Sequence, residues 1–293
     1  MPEEFTPSGG INPAVRAAII EIVIIAMLAV WLIPLYAMVI DGFKTNSAVS
    51  STPVLSLSSG LSLSAFGAVW GSLAMPIVNS LIVVVPVALI STILGAMGAY
   101  FFNLLSSSDR RSFRISSDVV FSIIALATFI PSEAVFVPLL KVTIFLSLYD
   151  TYAGIYFAFL IFYLPTGALL MSIFVSAMPS RYFEAARVDG VGDWAIFSRV
   201  FLPNILPGFI ATVIFIVIEA WNQFFIPLLL TSTPSLNLAS LATQAYTGGF
   251  GTLYNESFAA AFTASLIPLA IFVVLGRYFI RGLGALGTGA KGV

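Results

Sequence analysis

The sequence predicts an all-α polytopic membrane protein with six transmembrane helices. Three observations predict it: 59% of the 293 residues are hydrophobic, only 9% are charged, and long runs carry no charge at all. Soluble domains average about 25% charged residues, and a hydrocarbon core of ~30 Å asks for about 20 apolar residues per helix. The net charge of −1 offers no basic surface to nucleic acid. Cys and His are both absent, so disulfides, thiol catalysis, imidazole metal sites and a Ser-His triad cannot be built from this chain, and no catalytic or metal-ligating residue is assigned.

Residues 1–15 are polar, with Pro and Gly, and read as a flexible N-terminal segment. The first span falls at 17–40, with Glu21 inside it and Pro34 near its outer end. It lacks a small-residue cleavage site, so it reads as a retained span. A Ser-rich loop covers 41–74. The second span, 76–104, opens with Asn79-Ser80 and contains Gly95, Gly98 and Tyr100. A polar break at 106–118 precedes the third span, 119–140, which carries Pro131, Ser132, Glu133 and Pro138. A short break holds Lys141 and Asp150. The fourth span is 152–178, with Pro165. A long polar interruption leads to the fifth span, 203–230. A loop rich in Gly, Ser, Thr and Asn runs to Ser257, and the sixth span is 259–279, with Pro268. Prolines inside spans free backbone groups that only a neighbouring helix or a cavity can satisfy, which fits a gated path better than a passive anchor.

Charge orients the spans. With both termini cytoplasmic, all twelve Lys and Arg except Lys44 and Lys141 fall inside, as the positive-inside rule requires. This places the polar stretch between spans four and five in the cytoplasm. It reads RYFEAARVDGVGDWAIFSRVFLPNILPG, from 181 to 208. Glu184-Ala185-Ala186 puts two small residues beside a carboxylate, which suits a helix that seats deep in a groove on another protein. Gly190, after Asp189, is where the chain can reverse, because glycine accepts positive φ. Trp194, Ile196, Phe197 and Phe201 then form an apolar face for packing under the membrane. Asn255-Glu256-Ser257 fits the N-glycosylation acceptor pattern on the predicted outer side.

This loop resembles the coupling loop of permease subunits of ABC importers, whose signature is EAA, three residues, Gly, then a downstream Leu-Pro: here Glu184, Ala185, Ala186, Gly190, Leu202 and Pro203. Asn79-Ser80, Tyr100, Pro131, Trp221-Asn222, Arg277-Tyr278-Phe279 and Gly282-Leu283 are similar to the carbohydrate-uptake branch. The ending at Gly289-Ala290-Lys291-Gly292 is similar to the tail of the maltose-type second permease subunit. The Ser-rich loop at 41–74 departs from that pattern. The resemblance implies one transmembrane permease domain, 16–283, followed by a cytoplasmic tail, 284–293, in the cell membrane. It also implies four kinds of neighbour: a second homologous permease, two cytoplasmic ATPase subunits, an extracellular sugar-binding protein, and lipid. The substrate implied is a monosaccharide such as glucose, in an archaeal importer, or a small oligosaccharide.

No phosphate-binding G-x-x-x-x-G-K-[ST] loop is present, since none of the lysines follows a glycine. ATP and Mg are therefore expected on the partner ATPase, with no cofactor in this chain. Glu184, Ala185, Ala186, Asp189, Gly190 and Pro203 are the expected ATPase-coupling residues. Glu133 and Glu219 are the ionisable groups deepest in the spans, which marks them as interior or functional. Glu219, Asn222 and Gln223, at i, i+3 and i+4, would share a helix face near Trp221, supplying a carboxylate, two amides and an indole for a sugar. Ser132 and Glu133 are expected on the same path. Two other readings compete: an ion-coupled secondary carrier using Glu133 and Glu219, and an intramembrane enzyme with a carboxylate pair.

Overall fold

The computed structural model describes residues 12–57, 61–106, 110–179, 181–248 and 253–289. Among them the only β pairing is an isolated bridge between Lys44 and Leu61. Four helices are long and apolar enough to cross a membrane, and the count reaches six if each of two bent helix pairs is one span. The chain gathers into two compact units, 1–69 with 249–262 and 70–248 with 263–293.

In the first unit, helix α1 (Pro13–Gly42) starts at an Asn12 cap, whose side chain accepts the Ala14 N–H, with Pro13 at the first helical position. Proline lacks only a donor that this position leaves unpaired anyway. Helical order thus begins inside the segment expected to be flexible; Met1–Ile11 lie outside the described residues. The expected loop at 41–74 contains α2 (Asn46–Ser51), capped by the Thr45 hydroxyl. Lys44 is fully buried and its Nζ lies 2.7 Å from the Asp41 carboxylate, so this cation is neutralised at once. Asn255 lies in α13 (Tyr254–Gly289) and is 6% exposed. Its burial in a helix leaves the pattern match at 255–257 without the exposed side chain an acceptor needs. Helix α13 also runs on to Gly289, into the stretch expected to be a tail, while 290–293 lie outside the described residues.

Helix α3 (Ser64–Ser106) is longer at its start than the expected 76–104. Pro76 and Pro86 both lie inside it; each removes one backbone bond, which an apolar helix can absorb without ending. Helix α4 (Arg111–Ala127) begins earlier than expected and stops early, and the chain bends by 99° before a tight turn, Ser132–Val135, and α5 (Phe136–Phe145). Lys141 therefore belongs to a helix and not to the break. Helix α6 (Tyr152–Ser176) starts at a Thr151 cap.

The second unit is organised by the crossing of α3 and α6. A Cβ on Gly95 would lie 2.4 Å from the Gly167 carbonyl carbon, and one on Gly167 would lie 2.3 Å from the Ser91 oxygen. Backbone touches backbone, and only glycine permits it. Lipid gives helices little hydrophobic reason to associate, so close packing of small residues must hold them. Ser91, Thr92, Ala88 and Ala96, all at 0% exposure, line the α3 side of the crossing. One core cluster lies on one side of it, with Val83, Val84, Val87, Ile155, Ala158 and Phe159. The other lies on the opposite side, with Ala96, Ala99, Tyr100, Met171 and Val175.

Replacing Gly167 by Val should lose folded protein. The clash is with backbone, which cannot rotate away, so the cost should exceed the ~1–3 kcal/mol of ordinary overpacking. Yield of monodisperse protein in detergent, against Gly98→Val with open space around it, measures this.

Candidate functional site: the polar loop and the broken spans

The loop after α6 folds into α7 (Arg181–Val188), α8 (Asp193–Ala195), a π-helical turn Ile196–Phe201, and α9 (Leu202–Asn204). Helix α7 closes on Gly190 at φ +73°. The Val191 N–H donates to the Ala186 carbonyl (3.1 Å) and the Gly190 N–H to the Arg187 carbonyl (3.0 Å). This pair of bonds is a Schellman closure, which satisfies the orphan carbonyls and requires a left-handed residue at 190. The turn expected at Gly190 is present.

The helix has two faces. Phe183 and Ala186, three residues apart, are each 8% exposed and packed inward. Glu184, Ala185, Asp189 and Gly190 are exposed. Ala186 thus belongs to this chain's own core, and only Ala185 of the pair leaves room for a neighbour. The apolar face expected after the turn forms: Ile196, Phe197 and Phe201 are buried, while Trp194 remains 67% exposed and stacks on Phe197 at 5.5 Å. Pro203, exposed, has no N–H for the Arg199 carbonyl, and its ring would strike that carbonyl in a regular helix. The wider π-helical turn moves the carbonyl aside. The chain then bends by 77° into α10 (Leu206–Asn222).

Tyr100 joins this assembly to α3. Its ring lies 5.9, 5.5 and 5.2 Å from those of Phe183, Phe197 and Phe201. An aromatic residue near the predicted end of span two was the available signal, but its role as a hub needed the packing.

At the other end, α10 covers 17 residues, about 25 Å of rise, short of the ~30 Å hydrocarbon core. It stops at Asn222; Gln223 is extended (ψ 111°), and α11 (Phe225–Leu230) follows. Helix α4, also 17 residues long, breaks in the same way. The rings of Phe136 and Phe225, just beyond the two breaks, lie 5.8 Å apart, so the breaks come side by side. Irregular backbone at membrane depth is tolerated where protein covers it or a cavity opens.

The structure divides the expected path residues. Glu219 and Asn222 are exposed on α10, while Trp221 is 4% exposed in the core. The indole therefore packs away from the carboxylate. Gln223 is off the helix, so the expected i, i+4 face is broken; its Oε1 accepts the Phe225 N–H at 3.1 Å. The hydroxyl of buried Tyr163, on α6, lies within electrostatic reach of Glu219 and the Gln223 side chain. Ser132 donates to Glu133 Oε1 at 3.0 Å in the turn after the α4 break, and Glu133 is exposed.

A further polar group was not anticipated. Asp150, at φ +55°, accepts from the Ser232 N–H (2.8 Å), the Thr233 N–H (3.0 Å) and the Thr233 hydroxyl (2.5 Å). These three bonds, led by the Thr233 hydroxyl, hold its carboxyl below the ordinary carboxylate range. In the sequence Asp150 showed only as a polar break residue.

The family of binding-protein-dependent transport system inner membrane components matches residues 95–284, a stretch that includes the whole loop just described. The chain belongs to that family. The glucose import system permease protein GlcU of Saccharolobus solfataricus is 54% identical over 282 residues, covering 96% of this chain and 98% of that protein. The diacetylchitobiose uptake system permease protein NgcG of Streptomyces coelicolor is 27% identical over 277 residues, covering 93% and 88%. In fold the chain is similar to one from a bacterial ABC transporter involved in the import of the acidic polysaccharide alginate. The TM-score is 0.65 at 23% identity, over 93% of this chain and 100% of that one. This family member is thus an ABC importer permease, a multi-pass protein of the cell membrane and a transport component rather than an enzyme. Membership displaces both the ion-coupled carrier and the intramembrane enzyme.

The Asp150 tie gives a pH prediction. A carboxyl with a depressed folded-state value stabilises the fold above its ordinary value, near pH 4, and loses that contribution only as pH falls towards the folded value. Protection of the Ser232 and Thr233 amides from hydrogen exchange should therefore persist below pH ~4 and vanish in Asp150→Ala at every pH.

Proposed function

We propose that this chain is one of two permease subunits of an ATP-driven sugar importer. A separate pair of ATPase subunits binds ATP and Mg, and a binding protein delivers the sugar from outside. Glucose leads among the substrates. The observation that carries this reading is the 54% identity, along 96% of the chain, to a glucose import permease.

The loop supplies the coupling. The face of α7 bearing Glu184, Ala185 and Asp189 meets the ATPase in the cytoplasm. Glu184 accepts hydrogen bonds or pairs with a cation there, and Ala185 admits close approach. Phe183 and Ala186 lock the helix to Phe197, Phe201 and Tyr100, so ATPase closure moves the end of α3 with it. Pro203 and the bend after it pass the same motion to α10. Glu219, Asn222 and Gln223, with Ser132 and Glu133 at the neighbouring break, offer acceptors and donors for sugar hydroxyls along the path. A second permease covers the exposed face of α10, since a carboxylate facing lipid would be costly.

The test is purification of the tagged chain with its partners, followed by ATPase stimulation across a panel of sugars. Glucose should stimulate most; absence of a co-purifying ATPase, or equal indifference to every sugar, would overturn the reading. Gly190→Val places a β-branched residue at positive φ, costing about 1–2 kcal/mol locally. It should leave assembly intact and abolish uptake. Glu219→Ala should raise the KM for glucose uptake without loss of assembly.

A further inference from the structure

Helix α3 presents two adjacent polar residues that a membrane helix would ordinarily avoid. Asn79 is 0% exposed and Ser80 1%. Buried polar groups of this kind must be paired, and what they pair with is informative. Neither bonds within α3. Asn79 Nδ2 donates to the carbonyls of Ser235 (2.7 Å) and Asn237 (3.0 Å), and its Oδ1 accepts from the Tyr152 hydroxyl (2.7 Å). Ser80 Oγ accepts the Ala239 N–H at 2.8 Å, the first amide of α12 (Ala239–Gln244). The next residue, Ser240, donates its hydroxyl to the Gln223 carbonyl at 2.8 Å.

These bonds form one path. They run from the rigid middle of α3, through the strap 235–240, to the backbone of Gln223 at the break in α10. The Gln223 carbonyl is one of the orphans that a helix end leaves. It is met by a side chain whose own place is set by α3. An apolar residue at position 79 would leave the two strap carbonyls without their donor. The buried amide commits two bonds to the strap, which in turn bonds the Gln223 carbonyl, and a third to Tyr152 on α6.

We infer that Asn79 is a positioning residue of the substrate path: it anchors the strap 235–240, which sets Gln223 at the break between α10 and α11. This rests on the proposal that Gln223 faces the sugar. Asn79 touches no substrate; it acts through Ser240 and Gln223. Losing it leaves both strap carbonyls unpaired and lets Gln223 relax from its place, weakening sugar binding more than turnover.

The experiment uses the complete transporter purified with this chain and reconstituted in liposomes, with glucose as the probe. Variants are Asn79→Ala, Ser240→Ala, Gln223→Ala and the double variant Asn79→Ala/Gln223→Ala. Loss of a buried hydrogen-bonded partner should raise the apparent KM about tenfold in Asn79→Ala and about threefold in Ser240→Ala. Maximal rate and thermal stability of the assembly should change less than about twofold and a few degrees. In the Gln223→Ala background, Asn79→Ala should add less than about twofold, because residues acting as one unit are not additive. Unchanged KM in Asn79→Ala, or its full effect on top of Gln223→Ala, overturns the inference. Should Asn79→Ala fail to assemble, Ser240→Ala decides alone: unchanged KM overturns. An unchanged KM in Gln223→Ala itself sinks the underlying path assignment instead.

Discussion

The second unit depends on one contact, the backbone crossing of α3 and α6 at Gly95 and Gly167. In water a helix pair is driven together by apolar area, and its crossing point can drift by a residue or two. In lipid that drive is nearly absent, and shape alone fixes the register. A Cβ on either glycine would overlap backbone atoms of the other helix, so the two helices meet at this point or do not meet. The two core clusters then fall on either side of the crossing. The polar loop after α6 packs on one, and the break in α10 on the other.

Helix α3 therefore has two polar-to-aromatic attachments. Tyr100 receives the polar loop after α6 through three rings. Asn79 and Ser80 receive the strap 235–240 through hydrogen bonds. Asn79 and Tyr100 lie twenty-one positions apart on one continuous helix, about 30 Å of rise. The two attachments use different physics. The one at Tyr100 is aromatic packing, tolerant of small rotations; the one at Asn79 is directional hydrogen bonding, which is not.

Much of this was legible in the sequence, because its signals are local. Charge scarcity and apolar runs located the spans, and the Asp-Gly after Glu184-Ala185-Ala186 located a turn whose φ the structure bears out. Long-range facts were not legible. Pro76 looked like a start and lies inside a helix. Trp221 sat close to Glu219 in sequence but is buried, because residues two apart on a helix point to different faces. Asp150 looked like an ordinary polar residue, and Asn79 stood out only by its resemblance; their partners lie about 80 and 157 positions away in sequence, beyond any periodicity.

The closure of α7 on Gly190 has a mechanical meaning. A helix that frays at its end can lengthen or shorten and so absorb a push. One sealed by two crossed backbone bonds has a set length and a set exit direction. The aromatic seat beneath it removes the remaining slack. Displacement arriving at its outer face is then passed on as a tilt of a stiff lever, with little lost to local melting.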